Sequence, residues 1–228
     1  MVGGGRTRAG RFFRSESVGA MTDDDVEVVV GTLGIGAVLD LRSAGETIDE
    51  GRGPLGRKSV IYANVPMNPA ALHLFREDSF LPGDLTASVY NAFLDEAAGM
   101  LPNVIRMLAT LIDVPTVVHC AAGKDRTGLV IALTLDLVGV DRTCVVEDYM
   151  ASADSVDAVN TMLARSERYR AHMEKVDREF YEVHERAILG FFSHLDAAYG
   201  GSAGWAAARG VSEDVVRRLR AALVEVDG

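Results

Sequence analysis

Cysteine is scarce: Cys120 and Cys144 are the only two in 228 residues, too few for a disulfide framework. No apolar run approaches membrane-spanning length, so stable membrane insertion is not expected. Met1 to Arg11 is Gly- and Arg-rich without an apolar centre, unlike a signal peptide. Basic residues are outnumbered, 23 Lys and Arg against 33 Asp and Glu, which leaves a net charge of -10. That balance excludes a general binder of nucleic acid or acidic membranes, whose affinity rests on clustered cations. A local basic pocket remains compatible with it. The five histidines, His73, His119, His172, His184 and His194, form no paired metal-ligand spacing, so neither a metal nor another cofactor is expected.

What is present is an ordinary globular composition, 48% hydrophobic and 25% charged, in a chain long enough for one well-packed domain over 1–228. Its chemistry concentrates in one run: His119, Cys120, Ala121, Ala122, Gly123, Lys124, Asp125, Arg126, Thr127 and Gly128. A β-rich stretch, Val114 to Val118, leads in, and an apolar helix-length stretch, Leu129 to Val138, leads out. The context is strand, tight loop, helix N-terminus. With five residues between Cys120 and Arg126, the loop can turn successive N–H groups inward at the positive end of the helix and bind a tetrahedral oxyanion.

Residue type then suggests role. Cys120 stands where amides and helix dipole favour a thiolate, the nucleophilic form. Thiolate population alone explains little, because nucleophilicity falls with basicity along a Brønsted slope of ~0.4 to 0.5. The larger gain lies in stabilising the phosphoryl transition state and in a better leaving thiolate. Arg126 brings a planar fork able to follow two phosphoryl oxygens through in-line displacement. Thr127 is expected to donate a hydrogen bond to the sulfur, and His119 to orient the loop through the backbone. Ala121, Ala122, Gly123, Lys124, Asp125 and Arg126 are the expected phosphate-binding set.

This run resembles the signature of the cysteine-dependent protein tyrosine phosphatase superfamily: His-Cys, five residues, Arg, then Ser or Thr. The Lys124-Asp125 pair is similar to the loop of bacterial tyrosine-protein phosphatases related to mycobacterial phosphatase B, which also resembles that of lipid phosphatases. The resemblance implies an α/β fold, with a mostly parallel central sheet flanked by helices and a helical C-terminal half in which 152–199 is a candidate lid. It implies hydrolysis of phosphate monoesters through a phosphocysteine, phosphotyrosine in proteins first, with phosphoserine and phosphoinositides as alternatives. A phosphate-binding module without turnover is the alternative from a different class. The family places an aspartate, a candidate general acid, in the loop where this chain has Asn68, and an amide cannot protonate a leaving oxygen. Asp125 is therefore the first choice of acid, with Asp78, Asp84 and Asp95 as alternatives. A reactive thiol needs reducing surroundings, which points to the cytoplasm, with export lacking a signal peptide as the alternative.

Along the rest of the chain, strands are expected at Arg11 to Ser17, Ala37 to Leu41 and Val60 to Val65. Thr22 followed by three aspartates predicts an N-cap, with Gly31 and Gly34 ending that helix. Glu50 to Lys58 and Leu74 to Asp84 read as loops. Helices are expected at Ser88 to Ala98, Pro102 to Leu111, Arg142 to Ala151, through the charged stretch Ser155 to Tyr199, and at Ser212 to Val226 with Ser212 as cap. Asp40 and Arg42 read first as a structural ion pair. Cys144 reads as a packed small hydrophobe, and the histidines other than His119 as surface or packing residues.

Overall fold

The computed structural model describes residues 5–68, 83–96, 100–176 and 178–225. After a short β1 (Arg6–Thr7), strands β2 (Phe12–Ser15), β3 (Ala37–Asp40), β4 (Ile61–Asn64) and β5 (Thr116–His119) form a four-stranded sheet in the order β2-β5-β3-β4. Every pairing in it is parallel. The register aligns Ser15, His119, Asp40 and Asn64 in one row at the C-terminal ends of the strands. In open parallel sheets that edge is where ligands bind, and His119 delivers Cys120 directly above it.

Both central strands are buried along their whole length, and their alternating side chains divide the interior in two. Ala37, Leu39 and Val118 face a large apolar cluster, while Val38 and Val117 join a small one with Val18, Val26, Ile35 and Leu55. The small side is covered by α1 (Asp23–Val26) and the turns around it. The Thr22 N-cap forms as expected, a capping box with Asp25. The helix runs past Gly31 as a wider, π-helical stretch over Glu27–Thr32 and ends before Gly34, which takes φ +67°.

The large side is built from α3 (Asp84–Asp95), α4 (Met100–Leu111), α5 (Asp125–Leu137), α6 (Arg142–Met150), α9 (Glu185–Tyr199), α10 (Ser202–Ala208) and α11 (Glu213–Leu223). The apolar run after the loop is buried from Thr127 to Thr134, as a helix passing through the centre of the layers must be. α3 and α9 approach closely at Gly190, where a Cβ would stand 2.8 Å from that of Ala87.

The stretch 155–199 is helical through most of its length, divided into α7 (Val156–Leu163), α8 (Glu167–Met173), a short turn at Arg178–Tyr181 and α9. Three expectations change. The last helix ends at Leu223, because Val224–Glu225 form β6 and pair antiparallel with β1. Ser212 takes the cap position without a side-chain hydrogen bond. Cys144 is exposed on α6 rather than packed. Among the described residues no helix is long and apolar enough to cross a membrane.

Candidate active site

The loop after β5 is pinned on both sides. Ser17 N–H donates to Ala121 O at 2.9 Å, and Leu41 N–H to His119 O at 2.8 Å, so the chains leaving β2 and β3 hold it. Gly123 takes φ +66°, and a Cβ there would lie 2.4 Å from Ser15 O. Only glycine fits so close to the β2 backbone. α5 then begins at Asp125 with no side-chain cap, leaving its N-terminal amides to the loop.

Cys120 is 2% exposed and borders a cavity of about 370 Å³. Ala121, Ala122, Lys124, Asp125 and Arg126 border it too. Three expected site residues do not: Gly123 faces a neighbouring cleft with Arg14 and Glu16, and His119 and Thr127 are fully buried behind the loop. His119 Nδ1–H donates to Cys120 O at 3.0 Å. Burial holds this imidazole below its ordinary pKa, against the pull of Asp40, so it is neutral at pH 7. The Thr127 hydroxyl has no hydrogen-bond partner, and the expected bond to the sulfur is not formed.

The residue that sequence reasoning missed is Glu46. It ends the capping box of α2 (Ala44–Glu50), receiving Ser43 N–H at 2.7 Å. The same carboxylate accepts both outer nitrogens of Arg126, at 2.9 and 2.7 Å. Burial opposes charge on both partners, yet their mutual hydrogen bonds keep Glu46 ionised far below the usual carboxylate range and Arg126 firmly cationic. The Tyr169 hydroxyl of α8 also donates to Glu46. The Ser43-x-x-Glu46 spacing was a readable capping signal; the reach to Arg126 was not.

Behind this lies a second buried cluster. Asp40 and Arg42, both without exposed side chain, pair at 2.7 Å, and the Tyr62 hydroxyl donates to Asp40. Arg42 also reaches Ser17, Glu50 and Gly51 O. The expected structural ion pair thus supports the strand ends under the loop.

Over the cavity stand Asn160, Leu163, Arg168, Tyr169 and His172 from α7 and α8, with Phe180 and Tyr181 from the following turn. His172 is a surface residue, as expected, and one that borders the cavity. Lys124 Nζ donates to Phe180 O at 3.0 Å and Glu182 O at 2.8 Å, tying this covering segment to the loop. Asn68 lines the cavity, as does Asp125, whose Oδ1 accepts from Tyr90. Asp84 pairs instead with Arg186, and Asp95 with His194 and Tyr199, neither at the cavity. Asp78 lies outside the described residues. Asp125 and Glu46 are the acids lining the cavity among the described residues, and only Asp125 is without an arginine partner.

The chain is similar to several named phosphatases. The triple specificity protein phosphatase PtpB of Mycobacterium tuberculosis is 28% identical, over 95% of this chain and 92% of its own length. A tyrosine-protein phosphatase of Nostoc commune is 29% identical, over 94% of this chain and 74% of its own. The crystal structure of P. aeruginosa TpbA in complex with pTyr overlaps 69% of this chain and 88% of its own, at 18% identity and a TM-score of 0.37. Residues 1–225 match the profile described as the tyrosine phosphatase family, and the chain belongs to that family.

Proposed function

We propose that this tyrosine phosphatase hydrolyses phosphotyrosine in proteins through a phosphocysteine. The observation that carries the reading is one cavity bordered by Cys120, by Arg126 held in a two-point clamp by Glu46, and by Asp125. Cys120 attacks phosphorus while loop amides and Arg126 hold the equatorial oxygens. Asp125 protonates the leaving oxygen, then takes a proton from the water that cleaves the S–P bond. A tyrosine phenolate leaves with a pKa of ~10 and needs that proton less than an alkoxide does. We read α7, α8 and the 178–182 turn as a lid over this chemistry, supported by their place on the cavity wall and the Lys124 tie. The cytoplasm is the compartment that suits its two free thiols.

A relative described as of triple specificity favours breadth beyond phosphotyrosine. Lys124, in the loop itself, is a cation for a second phosphate of a phosphoserine peptide or a phosphoinositide. A panel of these substrates orders the three.

The test compares wild type, Cys120→Ser and Asp125→Asn on an aryl and an alkyl phosphate. Cys120→Ser is expected at background on both. Asp125→Asn lowers turnover on the order of 10²-fold or more for the alkyl ester and less for the aryl one. Equal background rates in wild type and Cys120→Ser would leave only a phosphate-binding module.

A further inference from the structure

Asp125 is held from the protein side by two buried tyrosines. Tyr90 of α3 has no exposed surface, and its hydroxyl lies 2.9 Å from Asp125 Oδ1 and 2.9 Å from the hydroxyl of Tyr149 on α6. A carboxylate only accepts. Tyr90 therefore donates to Asp125 and accepts from Tyr149, which fixes the direction of both bonds. The two rings meet edge to face at 6.3 Å and 84°. Gly128 on α5 makes room for the second ring, since a Cβ there would stand 3.0 Å from it.

Burial, with the charge of Asp125, pushes both phenols well above the ordinary tyrosine value, so both remain protonated donors. The other groups facing this chain are few. Lys124 Nζ lies 3.6 Å from Asp125 Oδ2, Tyr181 of the covering turn feels the Asp125 charge, and Arg14 of β2 faces Tyr149. Phenylalanine would fill both tyrosine sites without burying a hydroxyl, and buried hydroxyls are unfavourable unless bonded. The ionisable carboxylate these hydroxyls reach is Asp125.

We propose that Tyr90 and Tyr149 are positioning residues for proton transfer: their relay engages Oδ1 of Asp125 and leaves Oδ2 to carry the proton. In the first step that proton passes to the ester oxygen as the P–O bond breaks and the S–P bond forms. The carboxylate left behind is stabilised by the Tyr90 hydrogen bond. In the second step it accepts a proton from water as that water's oxygen bonds phosphorus and the S–P bond breaks.

The proposal rests on Asp125 as the acid, and the experiment separates the two. Turnover on an alkyl and an aryl phosphate is measured for Tyr90→Phe and Tyr149→Phe, alone and combined with Asp125→Asn. In Tyr90→Phe, kcat on the alkyl ester falls on the order of tenfold with KM unchanged and the aryl ester falls less, while Tyr149→Phe shows a smaller loss of the same kind. With Asp125→Asn, neither change lowers the rate further. A merely structural role would lower the melting temperature and reduce both esters alike, and that result overturns the proposal, as does an equal loss in the Asp125→Asn background. Wild-type alkyl hydrolysis by Asp125→Asn is a different failure, which removes Asp125 as acid and the relay with it. Should Tyr90→Phe not fold, Tyr149→Phe carries the test alone, with an unchanged alkyl-to-aryl ratio against the proposal.

Discussion

Glu46 gathers four donors on two oxygens: both outer nitrogens of Arg126, the amide of Ser43 and the hydroxyl of Tyr169. An amide cannot replace it, because one of the two positions would then present N–H to N–H. Glu46→Gln is expected to lower stability by roughly 3 kcal/mol, as for removal of one partner from a buried pair, and to lower kcat more than it raises KM. The pH dependence supplies a second sign. The Glu46 carboxyl titrates below its ordinary 4.5 in the fold, so its stabilisation is complete above that value and fades as pH falls through the folded one. The gap between wild type and Glu46→Gln in urea midpoint therefore narrows on acidification below about pH 4.5; a constant gap would contradict the clamp. The sequence displayed Cys120, Asp125 and Arg126 because their chemistry lies in ten contiguous residues. Glu46, Tyr90 and Tyr169 stood outside that window, and their partnerships with the loop exist only once separate helices have packed around it.

Among the elements, the sheet was the legible part. Ala37 to Leu41 and Val114 to Val118 are short apolar runs of the kind a doubly covered parallel strand requires, and both became the buried centre. The covering segment was not legible. From Ser155 to Leu189 it holds neither glycine nor proline, so nothing local announces the breaks that separate α7, α8 and the Arg178–Tyr181 turn. What sets the geometry is tertiary: Tyr169 reaches Glu46, and the Phe180 and Glu182 carbonyls meet Lys124. A methionine at 124 keeps the aliphatic stem and removes two charge-assisted hydrogen bonds, each of the class worth about 1.5–3 kcal/mol. Lys124→Met is accordingly expected to speed amide hydrogen exchange across 178–182 by about tenfold or more, with exchange in α4 and α5 unchanged. Equal exchange in both proteins would mean the segment is held by its apolar contacts alone.

At the scale of the whole molecule, ionisable groups inside the fold make stability depend on pH in a direction that can be worked out. His119 sits in the row of strand ends, with burial depressing its pKa below the ordinary 6.5. The unfolded chain binds this proton at a pH where the folded one refuses it, so the contribution is complete above about pH 6.5 and is lost as pH falls from there through the lower folded value. His172, lowered by its own burial and by Lys175, adds a smaller share of the same sign. Glu16 and Asp148 act oppositely, since burial holds their carboxyls above their ordinary values and makes the fold the better proton acceptor there. His119→Asn shares both carboxyls with wild type, so between about pH 6.5 and 5 the difference between the two proteins is left to the histidine. His119→Asn keeps a donor where Nδ1–H meets Cys120 O and removes the titration. Its unfolding free energy is expected to be flatter than that of wild type across that window, whatever its absolute value. If both curves fall with the same slope, His119 is protonated alike in folded and unfolded chains, and the strand-end row tolerates a buried positive charge that desolvation should disfavour.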